Sequence, residues 1–319
     1  MKIGFHSNQL GLRGAEVALY DYAFYNEVLL NNESIIISDA NSNLASLEKF
    51  KKRFKVYLYS NFRECNYIAD LEKLDLVYFI KAGLYDGRLI SNVKNAVHAV
   101  FQYNEIHGDK YAYVSRWLSN KMSSGKIPYV PHMVDLQKYD QGDNLRSILN
   151  INKDSIVFGY YGGEDSFNID FAKKAVIDIS IKHPNIYFLF MNVNKFCSNP
   201  NTIFLPGTQD MKLRNSFINT CDACLHARDN GESFGLTIAE FSTKNKPIIT
   251  YLPLQDTPFF DMAHIDQLSN NAIYYSDYDQ LTNIIINFNN YNDKGKDWNF
   301  YKEFSPKNVM NKFEEVFLT

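Results

Sequence analysis

Two glutamates, Glu232 and Glu240, close the segment Gly231-Glu232-Ser233-Phe234-Gly235-Leu236-Thr237-Ile238-Ala239-Glu240 at either end. Their order is an acid, a glycine-containing loop, a short apolar helix and a second acid. Strand-like runs flank the segment, Ala223 to Ala227 before it and Pro247 to Thr250 after it. A loop leading into a helix N-terminus at the carboxyl edge of a parallel sheet is an anion site, because free backbone N–H groups and the positive end of the helix dipole face the ligand. Gly235 would let the backbone approach closely. The carboxylates cannot bind phosphate themselves and call for hydroxyl or amine partners. A helix starting near Phe234 puts Glu240 roughly 9–10 Å along its axis. A ligand with a phosphate between two hydroxyl-rich ends fits this pattern, and a nucleotide-sugar is such a ligand.

Other residues gather at the same expected edge. Tyr160-Tyr161-Gly162-Gly163-Glu164-Asp165 ends a strand, and its two glycines permit close backbone approach. Arg228 precedes Glu232 in one loop, where its planar fork suits the oxygens of a diphosphate. The competing role for Arg228 is a salt bridge to Asp229 or Glu232. Pro206 and Gly207 follow the strand Thr202 to Leu205 and would neighbour a nucleotide base. Near the start, Asn8 to Glu16 forms a strand-to-helix loop with Arg13 and Gly14; it lacks the third glycine of a dinucleotide fingerprint, which disfavours a nicotinamide enzyme. Among the histidines, His107 lies in a loop at a sheet edge and is the candidate for contacting a sugar hydroxyl. His98 and His226 lie within strands and read as structural, and His132 is open. A buried Glu240, flanked by Ala239 and Phe241, needs a partner.

The elements that must position these residues alternate. Strands are expected at 2–7, 34–38, 55–59, 75–80, 96–102 and 111–115, with helices at 16–30, 44–54 and 65–74. A polar stretch from Asp135 to Asp154 breaks the pattern. A second alternation follows, with strands at 155–161, 185–192, 202–205, 223–227, 247–250 and 272–275 and helices at 168–183, 211–219, 234–240 and 281–288. Short apolar runs separated by helical periods mean parallel βαβ units. The expected class is α/β, with two Rossmann-like doubly wound domains facing a cleft. We divide the chain into an N-terminal acceptor-side domain (1–138), a linker (139–154), a nucleotide-sugar-binding domain (155–298) and C-terminal helices (299–319) packing back toward the first domain.

Composition bounds the rest. The chain has 319 residues, 45% of them hydrophobic and 15% aromatic, enough for two cores. The net charge of −3 gives no polyanion signature, so no nucleic-acid partner is expected. No apolar run reaches membrane-span length and no signal peptide is read, which suggests a cytoplasmic protein. The basic run Lys49 to Lys55, with Phe50 and Phe54 interleaved, would allow weak peripheral contact with anionic lipid; as the end of a helix, its cations complement the dipole. Cys221 and Cys224 have CxxC spacing without a second pair and read as buried thiols. Asp277-Tyr278-Asp279 has the spacing of a metal-binding DxD but precedes a helix and reads as a cap. No metal or cofactor is expected.

Taken together, these residues resemble a retaining glycosyltransferase of the GT-B fold, similar to glycosyltransferase family 4. The likeness covers most of the chain. It rests on the E-x7-E pair Glu232 and Glu240, on Arg13-Gly14-Ala15-Glu16 where members often have Gly-Gly-Ala-Glu, and on Val114-Ser115 and Val130 to Asp135. The resemblance implies that Glu232 touches the donor sugar and Glu240 the ribose. Ser233 and the Phe234, Gly235 and Leu236 amides would bind sugar and phosphate. It also implies a UDP- or GDP-linked donor, a growing glycan as acceptor, retention, and no metal. The chain departs from the family at Gly162 to Asn168, where members carry an Arg and a Lys; Arg228 or Lys195 would have to supply the missing charge. A nucleotide-sugar 2-epimerase on the same fold and a non-catalytic glycosyltransferase-like module are the alternative readings.

Overall fold

The computed structural model describes residues 1–136, 140–255 and 257–319. Two compact units emerge. Unit 1 comprises Met1–Met133 with Phe304–Thr319, and unit 2 comprises Val134–Glu303. Residues 137–139, where the expected boundary between first domain and linker falls, lie outside the described residues.

Unit 1 runs β1 (Lys2–Ser7), α1 (Gly14–Val28), β2 (Glu33–Asp39), α2 (Leu47–Lys51), β3 (Lys55–Tyr59), α3 (Glu64–Glu72), β4 (Leu76–Lys81), β5 (Lys94–Ala99), β6 (Lys110–Tyr113) and α4 (Arg116–Ser123). Its six strands lie in the order β3-β2-β1-β4-β5-β6, and each adjacent pair is parallel. The central strands are apolar on both faces, as a sheet covered on both sides requires.

Unit 2 runs β7 (Ile156–Tyr161), α5 (Asp170–Lys182), β8 (Ile186–Met191), β9 (Thr202–Leu205), α6 (Met211–Thr220), β10 (Ala223–His226), β11 (Gly231–Glu232), α7 (Leu236–Thr243), β12 (Ile248–Tyr251), β13 (Asp261–Met262), α8 (Ala263–Leu268), β14 (Ile273–Tyr275), α9 (Tyr278–Ile286) and α10 (Phe288–Tyr291). The main sheet has the order β14-β12-β10-β7-β8-β9, again all parallel. Counted from each unit's own first strand, both sheets follow 3-2-1-4-5-6. That is the doubly wound dinucleotide order, whose ligands bind beyond the carboxyl ends of the strands where the winding reverses. The reversal lies between β1 and β4 in unit 1 and between β7 and β10 in unit 2.

Chain segments depart from their sequence-based bounds for local reasons. The helix expected at 44–54 shortens to α2 because Ser46 is taken by the loop after β1: its N–H donates to the Leu10 carbonyl (2.7 Å) and its hydroxyl to that of Gly11 (2.5 Å). The C-terminal helix does not begin at Asn299. It begins as α11 (Pro306–Phe313), with Ser305 as cap, and is followed by a π-helical turn, Glu314–Leu318. Pro306 disfavours helical backbone at the residue before it and suits the first helical position itself. Residues 140–154, read as linker, are tied to unit 2. Arg146 pairs with Asp222 (2.9 Å) and donates to four carbonyls, and the Leu145 N–H donates to Thr220.

Unit 1 is completed by the chain's last residues. Phe313 stacks on Tyr22 (centroids 5.3 Å) and Phe5 (6.3 Å), and Phe317 meets Tyr78 edge-on (5.4 Å). The basic run is engaged at the surface: Lys49 lies 4.2 Å over the Tyr20 ring, and Arg53 pairs with Glu27. Cys221 and Cys224 are buried and free. Asp277 caps α9 by accepting from the Gln280 N–H (2.8 Å).

Candidate active site

The reversal point of unit 2 gathers two loops. The first, Gly162 to Asn168, follows β7; the second, Ala227 to Gly235, follows β10 and carries Arg228 and Glu232. Asn168 ties them together. Its N–H donates to the Ala227 carbonyl (3.0 Å), and its side chain bonds both the carboxylate (2.7 Å) and the N–H (2.9 Å) of Asp229. At Gly162 a β-carbon would stand 2.4 Å from Ser166 Oγ, so a larger residue requires that hydroxyl to move. The Gly163 carbonyl accepts from the Ser166 hydroxyl, closing the turn (2.5 Å).

Glu232 sits on β11, which pairs with β13 in a two-stranded sheet. Its Oε2 accepts from Arg228 Nη1 (2.9 Å), and its Oε1 lies 3.3 Å from His226 Nε2. Burial pushes this carboxyl up, but the Arg228 charge and the His226 hydrogen bond outweigh it and hold the group at about 2, so it is ionised at neutral pH. His226, buried in its strand as the sequence reading has it, therefore also contacts Glu232. Its isolation in an apolar strand concealed this, because the partner comes from a loop six residues on.

Helix α7 starts at Leu236, two residues later than expected, because Gly235 is the cap with φ +85°. Glu240 then lies about 6 Å from the helix start. No cap side chain covers the first turn of α7. Ser233 is partly exposed, while Phe234 is buried and meets Tyr301 edge-on (5.9 Å). Glu240 is buried, and its Oε1 accepts from Arg214 Nη1 on α6 (3.2 Å). Arg214 also lies over the Tyr161 ring at 5.6 Å. Sequence reasoning required a partner for Glu240 but did not find Arg214. The only signal was an arginine on a helix whose other residues gave it no role.

No protein-family model and no curated protein matches this sequence. Solved structures do match in shape. Anabaena Alr3699/HepE in complex with UDP-glucose superposes with a TM-score of 0.73 at 14% identity, covering 100% of this chain and 99% of that one. A glycosyltransferase from Rickettsia africae ESF-5 gives 0.71 at 14% identity, covering 99% and 97%. WaaG, a glycosyltransferase involved in lipopolysaccharide biosynthesis, gives 0.69 at 11% identity, covering 99% of each chain. The chain has the GT-B fold.

Within this GT-B chain, unit 2 brings together Gly162, Gly163, Arg228, Glu232, Ser233, Phe234, Gly235, Leu236 and Glu240 around one sheet edge. Lys195 stands close by: Asn194 donates from its backbone N–H to the Glu164 carbonyl (2.8 Å) and from its side chain to Asp165 (2.7 Å). Lys195 itself is exposed, and no ion pair to it occurs among the described residues. Pro206 and Gly207 follow β9, the edge strand. Unit 1 holds the remaining candidates. Arg13 is exposed at the cap of α1 with no side-chain cap bond, and Gly14 opens the helix. Glu16 in the same turn is buried, accepts from Gln9 (3.1 Å) and is shifted upward by burial. His107 has Nδ1 2.5 Å from the Glu105 carbonyl and its ring between Tyr85 (5.1 Å) and Tyr111 (5.6 Å). His98 is buried in β5 with Nδ1 on the Tyr78 hydroxyl (2.6 Å), a core role.

Among the described residues no helix is long and apolar enough to cross a membrane.

Proposed function

We propose that this chain transfers a sugar from a nucleotide diphosphate-sugar, UDP- or GDP-linked, to a hydroxyl acceptor, with retention and without a metal, in the manner of glycosyltransferase family 4. The observation that carries the reading is Glu232, held by Arg228 (2.9 Å) in the loop ahead of an α7 N-terminus that has no side-chain cap, with a second buried carboxylate, Glu240, on that helix. Glu232 accepts hydrogen bonds from the donor sugar and Glu240 from the ribose. The Phe234, Gly235 and Leu236 amides with Ser233 hold sugar and diphosphate, and Gly162 and Gly163 let the backbone come close. HepE, solved with UDP-glucose, shares the fold and lends the donor class.

The diphosphate leaves as an anion, so stabilising its charge is the main protein contribution. Arg228 is our candidate for that role, with Lys195 as the alternative. One Arg228 N–H serves Glu232, and the guanidinium keeps other donors for phosphate oxygens. Retention follows if the acceptor attacks the face that the diphosphate leaves, with the departing phosphate taking the acceptor's proton. Arg13 and Gly14 are further candidates for the donor's phosphate, His107 for a sugar hydroxyl, and Pro206 and Gly207 for the base; a glycan is the acceptor class.

Calorimetry with UDP, GDP, dTDP and ADP tests the donor site. The expected result is a micromolar preference for one nucleotide that Glu240→Ala abolishes. If none of the four binds, the transferase reading fails and a non-catalytic module is what remains. Turnover of the donor sugar to its epimer without acceptor would instead support the 2-epimerase. Transfer that persists in EDTA and yields a product with the donor's anomeric configuration supports metal independence and retention.

A further inference from the structure

Glu232 stands on a strand of two residues, too short to fix a side chain by itself, so its orientation depends on what its carboxylate touches. Arg228 holds one oxygen from the partly exposed side. His226 meets the other from within the sheet, and behind His226 stands Thr250. The register of β10 and β12 builds this line: His226 and Thr250 are direct partners across the parallel pair, and His226 Nδ1 lies 2.8 Å from Thr250 Oγ1. Both side chains are wholly buried. The imidazole is held on several sides, with Tyr160 (5.8 Å) and His264 (5.1 Å) against its ring and the Tyr275 hydroxyl donating to the His226 carbonyl (2.8 Å).

Hydrogen-bond bookkeeping assigns the protons. The Thr250 hydroxyl has His226 Nδ1 as its one side-chain partner among the described residues. A buried hydroxyl must donate, so Nδ1 accepts and carries no proton. The ionised Glu232 carboxylate can only accept, so Nε2 carries the proton and donates to it. The Nε2–H tautomer satisfies both ends; the Nδ1–H tautomer would set a bare Nε2 against the carboxylate, acceptor to acceptor, and leave the Thr250 hydroxyl proton without a side-chain acceptor. We propose that His226, locked by Thr250 as its Nε2–H tautomer, is a positioning residue that aims the Glu232 carboxylate at the donor sugar. The proposal rests on the reading of Glu232 as the donor-sugar contact.

Two measurements test it, the first independent of any activity. In protein labelled with [15N]histidine, the His226 signals, assigned by their loss in His226→Gln, should show a protonated Nε2 and a bare Nδ1. A ring protonated at Nδ1, alone or together with Nε2, overturns the relay.

The second uses kinetics of sugar transfer with calorimetry of the bare nucleotide. His226→Phe keeps the ring shape and removes both nitrogens. It should lower kcat by about 10–100-fold, the range for a misaimed reacting group, while nucleotide affinity stays near wild type. His226→Gln, which can restore an N–H toward Glu232, should recover most of the rate. Thr250→Val should slow the wild type but add nothing to His226→Phe, because the two residues act in series. A His226→Phe enzyme with normal kcat, a Gln variant as slow as the Phe variant, or additive losses overturn the assignment. Equal loss of nucleotide affinity and rate also overturns it, since that is the mark of general damage to the unit. A wild type that binds no nucleotide overturns the donor reading and the catalytic meaning of His226 together, whereas the tautomer still decides the relay.

Discussion

At the scale of single residues, Glu232 carries the clearest electrostatic consequence. Its carboxyl falls from the ordinary 4.5 to about 2 in the folded chain. A lowered carboxylate stabilises the fold fully above its unfolded value, and the contribution is lost as pH falls from about 4.5 toward 2. The shift corresponds to about 3 kcal/mol at neutral pH. Arg228 is the largest attractive part of it. Arg228→Ala should therefore lower stability at pH 7 by about 2–3 kcal/mol, because it leaves a buried carboxylate short of a partner. The deficit should shrink toward pH 3, where protonation relieves Glu232. Urea unfolding at both pH values reads the difference, and an equal deficit at both would dissociate Arg228 from the acidity of Glu232. In the transfer assay the same variant should lose at least tenfold in kcat if Arg228 meets the diphosphate; a full rate would return that role to Lys195. The pair Glu232 and Glu240 was visible in the sequence because the two lie eight residues apart on one continuous segment. Arg214 and His226 were not, because their carboxylate partners reach them only through the sheet and helix packing of unit 2.

At the scale of elements, two glycines hold β11 and α7 in place. Gly231 has φ +62°, and a β-carbon there would stand 2.1 Å from the Asp261 carbonyl oxygen, across the β11–β13 pair. Gly235 has φ +85°, and its β-carbon would find 3.3 Å to that of Glu232. Both positions strain any L side chain, but only the first is blocked by backbone. Gly231→Ala should thus cost about 2–3 kcal/mol and Gly235→Ala about 1 kcal/mol. Thermal unfolding ranks the two, and the reverse order would contradict the packing around Asp261. Gly235→Ala should also weaken nucleotide binding more than it weakens the fold, since it disturbs the first-turn amides of α7. Glycine at the turn was legible. That Gly235 caps the helix and shifts its start to Leu236 was not, because a left-handed backbone leaves no sign in residue type beyond the glycine itself.

At the scale of the whole molecule, the chain leaves unit 1, builds unit 2 and returns. Phe304–Thr319 supplies Phe313 and Phe317 to the aromatic core of unit 1. Phe313→Ala should destabilise unit 1 by about 3–5 kcal/mol and leave unit 2 nearly unaffected. The two tryptophans make this measurable, since Trp117 lies in unit 1 and Trp298 in unit 2. In single-tryptophan variants, Trp117→Phe and Trp298→Phe, the Phe313→Ala change should lower the unfolding midpoint reported by Trp117 far more than that reported by Trp298. Equal shifts would mean that the units unfold as one.

The sequence by itself determined the α/β class and the two successive alternations of strand and helix, and it singled out the segment from Gly231 to Glu240 as the candidate site. Those are local properties: apolar period, glycine, and the distance between two acids along one stretch of chain. Tertiary structure alone decided which strands are neighbours, and hence that the loops after β7 and β10 share one edge. It decided that residues 140–154 dress unit 2 and that Glu232 is gripped by Arg228 and His226. Partners drawn from separate strands meet only when the sheet order and register are set. That order is fixed by the burial of both faces of the sheet as a whole, a quantity no short window of sequence contains.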